Sequence, residues 1–158
     1  MKKILITRKL IKSSEEYAQK VFNTKLNEKD KLLTKDEIIQ KSSDCDGILS
    51  SITDKFDENL ILKLSSKIKI ISNFAVGFGN IDIEAASKKN IAVTNTPDVL
   101  TDATAEIAIL VLLGAARRAK EGMEWARNKN WTWSSDFLMG KQLTGSRLGI
   151  LGMGRIGR

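Results

Sequence analysis

Histidine is absent from the 158-residue sequence, and cysteine and proline each occur only once. Without histidine the chain lacks the commonest general acid or base, the usual catalytic triads and most zinc sites. The single Cys45 cannot form an internal disulfide, which indicates a reducing compartment. Because no histidine can activate its thiol, we expect Cys45 to have a packing role. No catalytic residue and no metal site are predicted within this sequence.

Long apolar runs are lacking as well. The N-terminal segment MKKILITRKLIK starts with positive charge, but Arg8 interrupts its short apolar stretch, so we expect a strand rather than an export signal. The longest apolar run, residues 107–116, falls short of the roughly 18 residues that a membrane span needs. The sequence therefore predicts a cytoplasmic protein with no membrane partner.

The charge balance is basic, with 26 Lys and Arg residues against 19 Asp and Glu residues, a net charge of +7. Such a charge is compatible with a polyanion partner. Most of the basic residues are scattered lysines, without the clustered arginines and interleaved aromatics typical of nucleic-acid recognition. We therefore expect a lysine-rich solvated surface with no nucleic-acid partner and a mild attraction for small anions.

Short β-branched runs alternate with helix-permissive segments in the first part of the chain. This alternation predicts an α/β fold with a parallel sheet covered on both faces. Serines 13 and 14 are suitable caps for the first helix. The predicted strands are residues 3–7, 46–51, 67–73 and 91–95, and the predicted helices are residues 13–22, 36–42, 57–66 and 82–90.

The character of the chain changes after its single proline, Pro97. One long helical tract is predicted to start near Thr101 or Asp102. Its first half is apolar nearly all round, so we expect it to be buried between layers. A new strand is predicted at residues 147–151. The organisation expected is a domain at 1–97, a connecting helix and interdomain or dimer segment at 98–144, and the start of a second α/β unit at 145–158.

The chain ends in LGILGMGRIGR, in which Gly152, Gly154 and Gly157 have the spacing G-x-G-x-x-G. After an apolar strand, such glycines allow a tight turn, the approach of a pyrophosphate and close helix packing. Glycine-rich turns also occur at purely structural corners, so the motif alone leaves both interpretations open.

A second glycine-containing segment, SNFAVGFGNID at residues 72–82, follows a predicted parallel strand. Ligands bind beyond the carboxyl ends of such strands, and Val76, Gly77 and Phe78 could offer backbone N–H groups to a carboxylate. The alternative is a turn that needs glycine for its backbone angles. Ser50 and Ser51 lie at the analogous end of the preceding strand, where their hydroxyls either face the same crevice or are ordinary strand-end polar groups.

A third segment, TNTPDVLTDATAE at residues 94–106, contains residues favoured at helix starts. Capping is the simplest explanation for Thr101, Asp102 and Thr104. A helix N-terminus beside a nucleotide would also attract phosphate, which gives Thr104 a second possible role.

The order of AVGFGNID, NTPDVLTDATAEIAILVLLGAARR, NWTW and LGILGMGRIG resembles the NAD(P)-dependent D-isomer-specific 2-hydroxyacid dehydrogenases. The segment TPDVLTDATAE is most similar to the glyoxylate/hydroxypyruvate reductases of that family. The resemblance covers residues 45–158 and implies a flavodoxin-like substrate domain, then a Rossmann domain that binds NAD or NADP, with the active site between them. It also implies a homodimer and a small 2-oxoacid substrate.

The resemblance also implies roles for particular residues. Val76 and Gly77 would bind the substrate carboxylate through their backbone, with Ser51 nearby. Trp131 and Trp133 would lie either near the subunit interface or substrate entrance, or in the core. Gly79 stands where many relatives have an acidic residue, which leaves the conformation of that turn open. The cofactor-binding residues implied are Thr104, Gly152, Gly154, Arg155, Ile156 and Gly157.

The family's catalytic arginine, glutamate and histidine follow the first Rossmann turn, beyond Arg158. We therefore expect this sequence to be the N-terminal part of a reductase and to be inactive alone. A non-catalytic module that binds a small carboxylate or dimerises is a second hypothesis. A truncated gene product or incomplete reading frame is a third.

Overall fold

The computed structural model of the protein describes residues 1–129 and 132–158. It divides into two compact units, Met1–Val99 and Leu100–Arg158. Each unit is described separately below.

The first unit is built on a five-stranded sheet in which every neighbouring pair is parallel. The strand order is β2-β1-β3-β4-β5, which is the flavodoxin-like order. The predicted α/β class with a parallel sheet is therefore confirmed. The strands are β1 (Lys3–Ile6), β2 (Asn23–Lys25), β3 (Gly47–Ser51), β4 (Ile70–Phe74) and β5 (Ala92–Thr94).

Four helices connect these strands: α1 (Lys12–Val21), α2 (Lys35–Ser42), α3 (Glu58–Lys63) and α4 (Ile83–Lys88). Thr34, Asp57 and Asp82 cap the last three of them by accepting backbone N–H groups of the first turn. The prediction that serines cap α1 is wrong, because the N-cap is Ile11 and both serines lie inside the helix.

The core lies on one face of the sheet. Leu5, Ile48 and Ile71 are adjacent in register and fully buried. Apolar residues of α2, α3 and α4 belong to the same cluster. Cys45 is also buried there, and burial raises the pKa of its thiol, which confirms the predicted packing role.

The other face of the sheet is covered only in part. Side chains alternate along a strand, so Ile4 and Leu49 point away from the core, and they line a cavity together with residues of α1. On the same face Ile70 and Phe74 are exposed. The prediction of helices over both faces is therefore confirmed for the core face and only in part for the other face.

The described residues of the second unit form two helices rather than the single long helix predicted. The first, α5 (Thr101–Ala116), begins where expected, and the second is α6 (Ala119–Ala126). Between them Arg118 adopts the left-handed conformation with φ 55°. The N–H of Lys141 donates to the carbonyl of Ala116 at 2.7 Å, which satisfies one C-terminal carbonyl of α5.

The expectation that α5 is buried between layers is wrong, since none of its residues is buried. Its large apolar side chains from Ile107 to Leu113 are 40% to 62% exposed. A helix that is apolar on every side needs cover on every side. The described remainder of this unit forms no sheet that could provide it.

The strand predicted at residues 147–151 is also not formed, and these residues have no regular secondary structure. A strand is held by hydrogen bonds to a neighbouring strand, and the described part of this unit has none. No helix within residues 1–129 and 132–158 has both the length and the apolar character that crossing a membrane requires.

Candidate carboxylate loop and glycine turn

The carboxyl ends of β3 and β4 place polar side chains next to each other. Ser50 and Asn73 are paired in register and buried. The hydroxyl of Ser50 donates to Oδ1 of Asn73 at 3.1 Å. Because all strands run parallel, the segment after β4 lies at the edge of the sheet where ligands bind in open α/β folds.

In the loop that follows β4, three consecutive backbone carbonyls are held by other parts of the first unit. The carbonyl of Ala75 accepts from the backbone N–H of Thr96 at 2.9 Å. The carbonyl of Val76 accepts from Nδ2 of Asn95 at 2.7 Å, and that of Gly77 from Nδ2 of Asn73 at 2.9 Å. We call residues 75–80 the carboxylate loop.

The orientation of these carbonyls fixes the orientation of the N–H groups. The peptide bonds are trans, and in a trans peptide the N–H points opposite to the carbonyl. The N–H groups of Val76, Gly77 and Phe78 therefore point away from the groups that hold the carbonyls. Among the described residues no acceptor pairs with them. Val76 is half-buried, while Gly77 and Phe78 are exposed.

The glycines of the carboxylate loop are not explained by backbone strain. Neither Gly77 nor Gly79 has a positive φ, and a Cβ at either position would meet no atom within 4 Å. The alternative of a turn that needs glycine for its angles is therefore not supported at these two positions. The turn itself is closed by the N–H of Ile81, which donates to the carbonyl of Phe78 at 3.0 Å, so Gly79 does not disrupt it.

Ser51 lies at the end of β3, beside Phe74 in register. Its hydroxyl is 2.8 Å from the hydroxyl of Thr53, and its backbone N–H donates to Oδ2 of Asp54 at 2.9 Å. Its carbonyl accepts from Nδ2 of Asn80 at 3.2 Å, which links Ser51 to the carboxylate loop.

Sequence reasoning missed four polar residues that organise this edge: Asn73, Asn80, Asn95 and Asp54. Asp54 is 2% exposed, and its Oδ2 accepts from the hydroxyl of Thr7 at 2.5 Å. A signal was available, since each residue lies at or just beyond the carboxyl end of a strand. Their contacts join residues distant in sequence, however, and no pairing can be read from the residues alone.

A charged pair lies after β1. Arg8 donates from Nε to Oδ1 of Asp30 at 2.7 Å and from Nη2 to Oδ2 at 3.1 Å. These bonds from Arg8, followed by the backbone N–H of Lys9, lower the pKa of Asp30 to about 2. The ion pair fixes the segment before α2 against the end of β1.

In the second unit, the three glycines of the G-x-G-x-x-G motif have distinct geometries. Gly152 has φ 98°, a conformation that residues with a side chain rarely adopt. A Cβ on Gly157 would lie 2.0 Å from the carbonyl oxygen of Gly152, so only glycine fits there. A Cβ on Gly154 would meet nothing within 4 Å. The turn is thus tight at its ends and open at its centre.

The other cofactor-binding residues implied by the resemblance lie in the same unit. A cavity of about 590 Å³ is lined by Ala105, Ile109 and Leu112 of α5 and by the glycine turn, including Ile156. Thr104 is half-buried, and its hydroxyl donates to the carbonyl of Leu100 at 2.8 Å.

The capping interpretation of Thr101, Asp102 and Thr104 is wrong. The N-cap of α5 is Leu100, and it makes no side-chain capping bond.

Arg155 is exposed. Trp133 is 75% exposed, and Trp131 lies outside the described residues.

No cluster of His, Cys, Asp and Glu suitable for a metal ion occurs in the part of the chain that the structure describes. The features that could bind a ligand are therefore the amide groups of the carboxylate loop and the glycine turn. Backbone amides without acceptors and glycine turns are features that bind anions in many proteins. The fold that carries the carboxylate loop is of the flavodoxin-like α/β class.

The family follows from comparison with known proteins. The family model "D-isomer specific 2-hydroxyacid dehydrogenase, catalytic domain" matches residues 4–144, so the chain belongs to this family. This confirms the resemblance given by the sequence motifs.

Individual relatives cover nearly all of the chain. It is 39% identical to a glyoxylate reductase of Thermococcus litoralis over 99% of the chain and 48% of the relative. It is 38% identical to a glycerate dehydrogenase of Hyphomicrobium methylovorum over 99% of the chain and 49% of the relative. The chain therefore spans about half the length of these relatives.

A solved structure shows the same fold. It is an NADPH-dependent glyoxylate/hydroxypyruvate reductase from Sinorhizobium meliloti, in complex with NADP and malonate. The TM-score is 0.81 at 30% identity, over 99% of this chain and 47% of that chain.

Proposed function

We propose that the chain is the substrate-binding part of a reductase that converts a small 2-oxoacid, such as glyoxylate or hydroxypyruvate, to the D-2-hydroxyacid with NAD(P)H. In this proposal the amides of Val76 and Gly77 bind the substrate carboxylate beside Ser51. The observation that carries the proposal is the set of consecutive unpaired N–H groups after β4. The carbonyls of the same peptide bonds are held by hydrogen bonds from Thr96, Asn95 and Asn73, so the N–H groups are already oriented for an anion.

The glycine turn supports the cofactor part of the proposal. A dinucleotide site needs a first glycine for a tight turn, a second for the approach of the pyrophosphate and a third for close packing. Gly152 has the positive φ of a tight turn, and the space around Gly154 is open. Gly157 lies too close to the carbonyl of Gly152 for any side chain. Arg155 adds a positive charge next to the open glycine, and Ile156 lines the cavity. The residues present thus fit a pyrophosphate, and they do not choose between NAD and NADP.

The proposed division of labour follows from the groups available. When bound, the nicotinamide supplies the hydride. The carboxylate loop holds the substrate carboxylate, and holding a substrate in one orientation lowers the entropic part of the barrier. The alkoxide that forms needs a proton, and no histidine among these 158 residues can donate it. We therefore expect the 158-residue chain to bind both ligands and to have no reductase activity alone.

The substrate part is tested by titrating the ¹⁵N-labelled chain with oxamate, a non-reacting 2-oxoacid analogue. We expect the largest amide shifts at Val76, Gly77 and Phe78. In Gly77→Val the new side chain would occupy open space over the loop and block binding, whereas Gly79→Val is the matched control with the same open surroundings. Equal binding by both variants, or shifts only elsewhere, would contradict the proposed site.

The cofactor part is tested with NADPH fluorescence. Gly157→Ala places a Cβ against the carbonyl of Gly152 and should abolish binding by forcing the turn open. Gly149→Ala is the control, because a Cβ there meets nothing within 4 Å. Carboxylate binding with no NADPH or NADH binding by the unchanged chain would instead favour a non-catalytic carboxylate-binding module.

Turnover and assembly complete the tests. We expect no oxidation of NADPH when the purified chain is mixed with glyoxylate. Robust turnover would refute the proposal that these 158 residues lack the proton donor. We also propose a homodimer for the complete reductase. The test is light scattering after size-exclusion chromatography of a chimera in which this chain replaces the matched part of a relative, and a monomer would contradict the proposal.

A further inference from the structure

We infer that Asn73, Asn80 and Asn95 are positioning residues that orient the amide donors of the carboxylate loop. The inference rests on the proposed function, since it concerns the loop proposed to bind the substrate. None of the three side chains needs to touch the ligand. Asn73 and Asn95 act by binding carbonyls of the loop on the side opposite to the ligand, and Asn80 acts through its bond to Asn73.

Asn95, one residue beyond β5, holds the peptide between Val76 and Gly77. Its Nδ2 donates to the carbonyl of Val76 at 2.7 Å. The next residue, Thr96, holds the preceding peptide by donating its backbone N–H to the carbonyl of Ala75 at 2.9 Å. The segment after β5 therefore determines where the N–H groups of Val76 and Gly77 point.

Asn73 holds the next peptide, between Gly77 and Phe78, from within the core. It is 1% exposed, and both ends of its amide are used. Nδ2 donates to the carbonyl of Gly77 at 2.9 Å and to Oδ1 of Asn80 at 3.0 Å, while Oδ1 accepts from the hydroxyl of Ser50 at 3.1 Å. A flipped amide would bring Oδ1 against the carbonyl of Gly77, so the orientation of Asn73 is fixed.

Asn80 connects the carboxylate loop to the turn after β3. Its Nδ2 donates to the carbonyl of Asp54 at 2.9 Å and to the carbonyl of Ser51 at 3.2 Å. Its Oδ1 receives the bond from Asn73. The side chain of Asn80 therefore fixes the ends of β3 and β4 relative to each other.

The chemistry of asparagine explains its use at all three positions. Each side chain must donate to a backbone carbonyl while remaining uncharged beneath a site for an anion. A carboxylate of the same shape cannot donate and would repel the carbonyl and the ligand. The primary amide meets both requirements.

The decisive variant is Asn95→Asp, because Asn95 is only half-buried and the change preserves the shape of the side chain. At neutral pH the carboxylate cannot donate to the carbonyl of Val76. The amide of Gly77 is then no longer held towards the ligand. We expect oxamate binding to weaken by at least about tenfold, which is the effect of losing one hydrogen bond to a charged ligand. Below about pH 4 the protonated carboxyl can donate again, so binding should partly recover relative to the unchanged chain at the same pH.

The matched control is Thr94→Val, one residue earlier on β5. The hydroxyl of Thr94 donates to that of Ser72 at 3.1 Å and makes no bond to the carboxylate loop. Binding by this variant should equal that of the unchanged chain at both pH values. Recovery at low pH is a readout that loss of folding could not produce, and the far-ultraviolet circular dichroism of all three chains should be the same.

The outcomes separate the two claims. If the unchanged chain binds oxamate and Asn95→Asp binds it equally well at neutral pH, the positioning inference is overturned while the proposed function stands. If Asn95→Asp loses binding without recovery at low pH, or if the uncharged Asn95→Leu, which lacks only the donor, binds oxamate as well as the unchanged chain, the donor role of Asn95 is likewise overturned. If the unchanged chain binds no oxamate, the proposed function fails and the positioning inference fails with it.

Discussion

Asp54 is the buried carboxylate that joins the ends of β1 and β3. Its Oδ2 accepts from the hydroxyl of Thr7 at 2.5 Å and from the backbone N–H of Ser51 at 2.9 Å. Oδ1 has no hydrogen-bond partner among the described residues. A buried polar group is costly unless it is hydrogen-bonded, so both bonds matter for the stability of this edge of the sheet.

Asp54→Ala should lower the free energy of unfolding by about 1–3 kcal/mol, because it removes the acceptor of two hydrogen bonds, from the hydroxyl of Thr7 and the N–H of Ser51. Asp54→Asn keeps one oxygen and should lose less. Urea unfolding measures both. The control is Glu28→Ala, which removes an exposed side chain and should change stability by less than about 0.5 kcal/mol. An Asp54→Ala variant as stable as the control would show that the two bonds are not needed.

Asp30 gives the chain a defined response to acid. Its pKa is lowered to about 2 in the folded chain by Arg8 and then by the N–H of Lys9, against about 3.9 in an unfolded chain. A carboxyl with a lowered pKa binds fewer protons when folded than when unfolded. Its stabilising contribution is therefore present above about pH 4 and is lost as the pH falls towards 2.

Asp30→Asn should accordingly flatten the dependence of stability on pH between about pH 4 and pH 2. Asn tolerates the positive φ of 49° at this position, so the backbone is kept. Unfolding midpoints measured across this pH window provide the comparison, with Asp36→Asn as an exposed control. Equal slopes in the unchanged chain and in Asp30→Asn would contradict the role of the Arg8–Asp30 pair.

At the scale of elements, α5 combines an apolar sequence with an exposed surface. Side chains such as Leu110 and Val111 are each 62% exposed, and the helix buries none of its residues. Exposed apolar patches of this kind mark surfaces that associate with other apolar groups. The helix should therefore bind hydrophobic dyes when the 158-residue chain is studied alone.

The paired substitution Leu110→Lys and Val111→Lys should reduce the fluorescence of a bound hydrophobic dye and leave the helical circular dichroism signal unchanged. Both positions face solvent, so the lysines need not displace packed atoms. Ile52→Lys, an exposed apolar position in the first unit, is the control and should have a much smaller effect. Loss of helical signal in the paired variant would mean that these side chains are buried after all.

At the scale of the whole molecule, the buried core belongs to one unit. All buried apolar residues of the described chain lie between Leu5 and Ile91, within Met1–Val99. Burial of apolar surface is the main favourable term in folding. The unit Leu100–Arg158 therefore has less to stabilise it than the first unit.

The two units should unfold separately in urea. All three tryptophans of the chain are at positions 125, 131 and 133, so fluorescence reports the second unit, whereas far-ultraviolet circular dichroism also reports the helices and strands of the first. We expect the fluorescence midpoint at the lower urea concentration. Leu60→Ala, which removes a buried side chain and costs about 2–5 kcal/mol, should move only the circular dichroism midpoint. Coincident transitions in every chain would show one cooperative unit.

Much of the first unit was predictable because its signals are local. Alternating apolar runs and polar helices specify an α/β sheet, and each predicted strand there is present. The strand β2 was missed because its three residues, Asn23–Lys25, lie at the sheet edge and have no apolar alternation. It is held by pairing with β1, which is a contact between distant residues.

The second unit shows where local signals fail. The apolar composition of α5 predicted a helix correctly, but burial depends on a partner surface that composition does not specify. Residues 147–151 have a strand-like sequence and no neighbouring strand to bond with. The break at Arg118 has no glycine or proline signal at that residue, and it depends on a left-handed backbone conformation.

By itself the sequence determined the class of fold, the family and the positions of the two glycine-containing loops, because these depend on residue types and spacing along the chain. Only the tertiary structure decided which groups hold the carboxylate loop. Hydrogen bonds from Asn73, Asn95 and Thr96 turn three carbonyls one way and leave the amides of Val76, Gly77 and Phe78 facing the other. The direction of a peptide plane is set by its partners in space, and those partners come from the ends of two separate strands, β4 and β5.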